Sequence, residues 1–208
     1  MSTNASRAVP PPQPKVGALI RARRRQLRMT LQALSDAAGV SVSHLSVVER
    51  NQATPSLGTL AQIARHLDVG MEYFIAVPSP QTGLTRAGQR ERFAVDGSSI
   101  VYERIAADFA GNVLSSLLLD IPAGYRSETV SHEGEEILFV LDGHITDRLD
   151  DEEMVLGPGD SLHFRGNRPH SWSNNTDRVV RLLWTGTLPL FRARAQVSPP
   201  RPRGPSKS

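Results

Sequence analysis

The stretch TLQALSDAAGVSVSHLSVVER, residues 30–50, decides how the first part of this 208-residue chain folds. It reads as two short helices around a tight turn. Leu31, Leu34, Ala37 and Ala38 are spaced to make one buried stripe on the first helix. Gly39 follows, where a helix C-terminus favours a residue that tolerates the left-handed conformation. Ser41 stands where the next helix needs an N-cap. In that second helix Leu45 and Val48 recur at i and i+3 and can face inward. Val42, Ser43, Ser46 and Val47 then face outward. A solvated helix face usually carries Lys and Glu. This one carries small hydroxyl and methyl groups, which suit the major groove, where thymine methyls and base-edge donors and acceptors are read. The expected partner is double-stranded DNA.

Residues around this stretch extend the pattern. An Arg-rich first helix, LIRARRRQLRMT (19–30), precedes it, and ATPSLGTLAQIARHLDVGMEYF (53–74) follows the SHLSVVER segment (43–50). In these landmarks residues 15–75 resemble the Xre-type helix-turn-helix domain of phage repressors and their bacterial relatives. The resemblance implies five helices and a homodimer on a two-fold DNA operator. It also implies that Arg24 and Glu49 pair inside the domain, although from the residues alone either can be a solvated surface charge. On this reading Val42, Ser43, Ser46 and Val47 read bases. Gln32 and Ser41 hold phosphate at helix N-termini, His44 and Arg50 serve the DNA backbone, and Arg23, Arg25 and Arg28 add longer-range attraction.

Charge is divided along the chain. The net charge is +3, but residues 1–75 carry nine Lys/Arg against four Asp/Glu, residues 76–188 carry ten against seventeen, and the last twenty carry five basic and no acidic residues. A basic head fits a phosphate binder and an acidic middle does not. The two regions therefore do different jobs. With no cysteine there are no disulfides, no thiolate catalysis and no Cys-based zinc sites, which is compatible with a cytoplasmic location. No apolar run is long enough for a membrane span. Residues 1–14 and 189–208 are Pro-rich or basic and are expected to be disordered tails. Residues 76–92 read as a linker.

From Phe93 onward the periodicity changes to short strands punctuated by Gly and Pro, as in VLSSLLLDI (113–121), EILFVLDG (136–143), MVLGPGDSLHF (154–164) and VVRLLWTG (179–186). Such a run suggests an all-β sandwich or barrel over residues 93–188. Residues 121–174 resemble the cupin family, a jelly-roll barrel. Gly124, His132, Glu136 and Gly143 match its first motif, and Pro158, Gly159, His170 and Asn174 its second. The expected class is α+β multidomain, with an all-α helix-turn-helix domain followed by an all-β cupin barrel.

One departure matters. The first histidine of the cupin motif is Val130 here, so a full four-ligand set is absent. His132 and Glu136 can share one strand face and meet His170. Two histidines and a carboxylate suit Fe(II), or Zn, Mn or Ni, and leave open positions. The other reading is a polar cluster that binds a small-molecule effector without metal. Arg126, beside the motif, can receive a carboxylate of the effector along with His132, Glu136 and His170. Tyr102, Tyr125, Arg104, His163, Phe139, Trp172 and Trp184 are further pocket candidates, with Phe139 and Trp184 expected as ordinary core. Asn174 is expected to tie down a turn.

Three functions fit these residues. The first is a transcriptional regulator whose barrel senses an effector. The helix-turn-helix and small cupin together resemble one-component sensors, including repressors of polyamine catabolism, which share a segment close to HEGEE (132–136). The second is a metal-dependent enzyme, because some cupin oxygenases, including an epoxidase of phosphonate antibiotic synthesis, keep a helix-turn-helix. The intact cap, turn glycine and basic first helix argue against it. The third is a regulator whose barrel only dimerises.

Overall fold

The computed structural model describes residues 15–75, 83–95, 97–107, 109, 111–188, 190 and 191. The tail expected at 1–14, nearly all of that expected at 189–208, and part of the linker lie outside the described residues.

Among the described residues four α-helices come first: α1 (Val16–Gln26), α2 (Leu31–Ala38), α3 (Val42–Glu49) and α4 (Leu57–His66). Each of the last three starts at a hydroxyl cap. Thr30, Ser41 and Ser56 accept from the backbone N–H groups of Ala33, His44 and Thr59. Gly39 closes α2 with φ of 67°. Leu34, Ala38, Leu45 and Val48 are buried, whereas Ala37, expected in the stripe, is exposed. Ser35 is buried in its place and donates its hydroxyl to the Val40 carbonyl. A 3.6-residue period groups positions 34, 35 and 38, which leaves 37 on the outer side.

The expected fifth helix is a single 3-10 turn, Met71–Tyr73. Gly70 before it is extended, and Pro78, which lacks an N–H, lies a few residues on. A helix confined to so short a stretch meets the cost of nucleation without the return from propagation.

α1 crosses α3 at Gly17, where an added Cβ would lie 1.9 Å from the Val48 carbonyl oxygen. The Asn51 side chain accepts from the Gly17 N–H at 3.0 Å. Next to this crossing Arg24 grips Glu49 with two bonds of 2.6 and 2.7 Å and donates a third, of 2.9 Å, to the Met29 carbonyl. The pair that the resemblance implied is therefore present and nearly buried, at 12% and 6% exposure. The Glu49 hydrogen bond outweighs burial and raises the Arg24 pKa further.

Among the described residues nine strands follow: β1 (Arg92–Phe93), β2 (Val101–Arg104), β3 (Ser115–Ile121), β4 (Glu135–Asp142), β5 (Ile145–Leu149), β6 (Glu152–Leu156), β7 (Ser161–Arg165), β8 (His170–Ser173) and β9 (Val180–Gly186). They form a six-stranded sheet, β1-β2-β3-β9-β4-β7, and a three-stranded sheet, β6-β5-β8. The turn within residues 154–164 carries the chain from one sheet to the other. Gly159, at φ of 92°, sits in it, and Asp160 accepts from the Gly157 N–H. The sheets face each other across a cavity, since Leu117, Glu136 and Trp184 line it from one and His170 and Trp172 from the other. The apolar core is continuous from Val16 in the helices to Leu190 beyond the last strand. Among the described residues no helix is long and apolar enough to cross a membrane.

Removing one partner of a nearly buried, bidentate ion pair strands the other charge. Glu49→Gln is expected to destabilise the protein by about 3 kcal/mol, while Arg24→Met combined with Glu49→Leu recovers most of that loss. Urea unfolding of the two variants checks this, and equal losses in both would contradict it.

Candidate functional site

Two groups of residues can do chemistry. The first is the outer face of α3. Ser43 is exposed, and Val42, Ser46 and Val47 are half-exposed. Ser41 is exposed and caps the helix at the His44 N–H. Arg50 is exposed, and its guanidinium is held by Ser46 and by the Gln52 side chain at 2.8 Å. Gln32 is exposed at the start of α2 and donates to Asp36 at 2.7 Å. His44 differs from the expectation of an outward contact. Its Nε2 is buried and has no hydrogen-bond partner, because the ring leaves the helix on a half-buried flank. Arg23 also differs: it donates to the Leu67 carbonyl at 3.0 Å and ties α1 to the end of α4. Arg25 and Arg28 remain exposed.

The second group lies in the barrel. His132, Glu136 and His170 are 8%, 6% and 4% exposed. One ligand atom from each lies within 4.8 Å of the others. His132 Nε2 is 2.7 Å from one Glu136 oxygen, and His170 Nε2 is 4.0 Å from the other. The Nδ1 atoms are engaged elsewhere, His132 at 3.0 Å from the Glu133 carbonyl and His170 at 2.7 Å from the Arg168 carbonyl. A carbonyl oxygen can only accept a hydrogen bond, so each Nδ1 is the protonated donor and each Nε2 faces the site.

Glu136 sits on β4 as expected, paired with Gly186 and Phe164 on either side. His132 does not share that strand. It precedes β4, and its N–H donates to the Gly166 carbonyl at 2.8 Å. Strand alternation is thus not what aims it. A left-handed Gly134, at φ of 101°, separates the two residues. Gly166 clears space for the imidazole, since an added Cβ would lie 2.5 Å from His132 Cε1.

Charge in this site is strongly coupled. Burial opposes the His132 imidazolium, but the hydrogen bond and charge of Glu136 outweigh it and raise its pKa. Burial likewise opposes the Glu136 carboxylate. The His132 bond and charge and a hydrogen bond from the Trp184 indole prevail and lower its pKa. Burial lowers the His170 pKa, helped by the neighbouring His132, against the Arg168 carbonyl and Glu136. The two imidazoles are therefore pushed in opposite directions, His132 toward its charged form and His170 toward its neutral form.

The cavity over the triad has about 60 Å³ open to water-sized groups. Val130, the residue in place of the missing histidine, lines it. Trp184, expected as plain core, bonds Glu136 and also lines the cavity, with Tyr102 and Trp172. Arg126 does not reach it. That side chain is exposed and donates to Asn175 at 2.9 Å, so its place beside the motif in sequence does not bring it to the site. His163 is exposed against Glu135, and Phe139 is only half-buried. Arg104 stacks on Phe191, 4.1 Å from the ring centre. Asn174 is fully buried and fastens its turn, donating to the Ile121 and Arg178 carbonyls at 3.0 and 2.7 Å.

One buried group was not anticipated. Asp147 on β5 is 1% exposed, and its Oδ1 has no hydrogen-bond partner. It pairs with Trp172, while Leu149 two residues on pairs with His170. Asp147 therefore belongs to the inward row beside the site. The alternation ITDRL, with a carboxylate at a core-facing position, was the available signal.

Residues 20–74 match the family described as Helix-turn-helix, and residues 117–186 match that described as Cupin domain. Among curated proteins, the HTH-type transcriptional regulator SutR of Escherichia coli is 26% identical over 76% of this chain and 85% of its own length. The HTH-type transcriptional regulator PuuR of the same organism is 22% identical over 81% and 92%. Among solved structures, an HTH_3 family transcriptional regulator from Vibrio cholerae covers 82% of this chain and 93% of its own, at 17% identity and a TM-score of 0.52. That likeness bears on the fold.

Asp147 links stability to pH. Burial, and then the charge of Glu136, push its pKa up to about 7, whereas an unfolded aspartate titrates near ~4. The folded state thus keeps a proton that the unfolded chain releases. Its contribution is complete below ~pH 4 and is lost as pH rises through about 7. Asp147→Asn cannot ionise. Its stability relative to wild type is expected to rise between pH 4 and 8, by on the order of 4 kcal/mol at most. Chemical denaturation of both metal-free proteins across this range checks it, and parallel curves would contradict it.

Proposed function

We infer that this chain, whose helical part belongs to the helix-turn-helix family and whose barrel belongs to the cupin family, is a DNA-binding transcriptional regulator of the cytoplasm. The outer face of α3 carries this reading. It is a short helix fixed from behind by Leu45, Val48 and the Arg24–Glu49 pair, presenting hydroxyls and methyls to a partner. The regulator names of SutR and PuuR support it. Val42, Ser43, Ser46 and Val47 read base edges, and Ser41, Gln32 and Arg50 hold phosphates at helix ends. Arg25 and Arg28 attract the duplex from a distance. His44 acts on this surface only after its ring turns outward.

The protein works as a homodimer. Recognition helices of two copies enter successive major grooves when they lie about 34 Å apart. On the outer face of β4 Ile137 and Leu141 are exposed on either side of half-buried Phe139, an apolar row that suits contact between copies. The cupin cavity is the sensor. His132, Glu136 and His170 fit a divalent metal, because both Nε2 atoms and the carboxylate converge while both Nδ1 atoms are anchored. The metal supplies Lewis acidity and open positions for a small effector. His132 must surrender its proton for metal to enter, so affinity for metal rises with pH. Arg126 has no part in this pocket. Effector binding changes operator affinity by favouring one arrangement of the dimer over another.

Binding of the purified protein to its own upstream DNA tests this. A specific, salt-dependent complex is expected. Val47→Ala is expected to lose about 1–3 kcal/mol at a single operator position, while Arg25→Ala weakens binding to all sequences and reduces the salt slope by about 1. Absence of specific binding between ~50 and ~200 mM salt would overturn the regulator reading, and metal-dependent turnover would then favour the oxygenase alternative.

A further inference from the structure

The barrel and the helices meet at the N-terminus of α4. Three of its first N–H groups are satisfied there, two of them by the barrel. The Ser56 N–H donates to Glu128 at 2.8 Å, and the Leu57 backbone hydrogen-bonds the Tyr102 hydroxyl. The third, from Thr59, stays within the helix at the Ser56 hydroxyl. The Thr59 hydroxyl adds a donor to the same Glu128 oxygen at 2.5 Å. A carboxylate at a helix N-terminus is favoured by the helix dipole as well as by these bonds.

The same corner is one wall of the sensor cavity. Ser56, Leu57 and Gly58 line it together with His132, Glu136 and His170. Glu128 also belongs to the segment that carries His132. Between them Val130 lines the cavity, and the Ser131 carbonyl lies 2.9 Å from where a Cβ on Gly39 would stand. Gly39 is the turn residue between α2 and α3. One five-residue segment, 128–132, thus holds a ligand of the triad, caps α4 and touches the turn of the DNA-reading motif.

Building on the regulator reading, we propose that Glu128 is a positioning residue through which divalent metal at His132, Glu136 and His170 acts on the helical domain. The apo contact between His132 and Glu136 is 2.7 Å. His132 and Glu136 would both serve as ligands to a bound metal, which their direct contact does not allow, and a change in their spacing would move the 128–132 segment with His132. Glu128 passes that displacement to Ser56 and Thr59, and α4 passes it to α3 through α2, which packs against both. Metal and operator then bind with unequal preference for two positions of α4, which is an energetic coupling between separate sites.

The test uses the full chain, its operator fragment and Zn(II), which is redox-inert. Operator affinity is measured with chelator-stripped and Zn(II)-loaded protein, for wild type, Glu128→Gln and Thr59→Ala. Zn(II) affinity is measured without DNA, and amide exchange at Leu57 and Thr59 with and without Zn(II). Wild type is expected to change operator affinity by ~5-fold or more on loading. In Glu128→Gln that ratio falls below ~2-fold, while Zn(II) affinity and apo operator binding stay within ~3-fold of wild type. Thr59→Ala, which removes the other half of the contact, gives an intermediate ratio. A purely structural cap would weaken operator binding equally in both metal states and leave the ratio intact, and that result overturns the proposal. So does a wild type whose operator affinity and α4 exchange do not respond to Zn(II), with the regulator reading left standing. Failure of apo wild type to bind any operator marks the separate failure of that reading.

Discussion

A helix that starts inside a protein must find acceptors for its first N–H groups, and the start of α4 is where this protein meets that requirement. Leu57 and Thr59 are buried, so bulk water does not serve them. The Ser56 hydroxyl, the Glu128 carboxylate and the Tyr102 hydroxyl do. Two of the three acceptors come from the barrel, so the start of α4 draws on both domains for its hydrogen bonds. α4 is also buried on most of its surface. α2 packs against it, and α3 packs against α2. The DNA-reading helix is thus linked to the other domain through α2 and α4.

A second constraint acts in the barrel. Three ionisable groups are packed into a site nearly closed to water, with Asp147 in the adjoining row. Charge there is tolerated only in complementary arrangements. Glu136 favours the charged form of His132, burial favours the neutral form of His170, and burial raises the Asp147 pKa to about 7. The site is therefore already tuned to hold one positive centre, and a divalent cation serves the same electrostatic need more fully. The apolar remainder of the lining, Leu117, Leu119, Val130 and the two tryptophans, leaves few other polar groups to compete for that centre.

Much of this was readable in the chain. Gly39, Ser41, Leu45 and Val48 take the places that capping and periodicity assign, because those rules are local. The Arg24–Glu49 pair and the His132, Glu136, His170 set came through family resemblance, since spacing alone does not bring residues 24 and 49 together. The failures were of three kinds. Ala37 and the fifth helix failed where a period was read one position off or a segment was too short. Arg126 failed because proximity in sequence was taken for proximity in space, and Trp184 because a core residue can also face a cavity. Glu128 and Ser56 gave no signal at all, and Tyr102 was legible only as a pocket residue. Each is unremarkable locally, and their meeting depends on how the helices and the barrel dock.

The contact between the domains is made largely through main chain: the N–H of Ser56, the backbone of Leu57, the carbonyl of Ser131 and the bare Cα of Gly39. Main-chain atoms do not change when residues are substituted. Such a joint tolerates wide divergence of the side chains around it, provided Gly39 and a carboxylate at 128 persist. It does not tolerate a change in loop length, because one residue added or lost between 128 and 132 would move the Glu128 cap and His132 relative to each other. For the same reason the helical domain cannot be grafted onto a foreign barrel without carrying its matching loop.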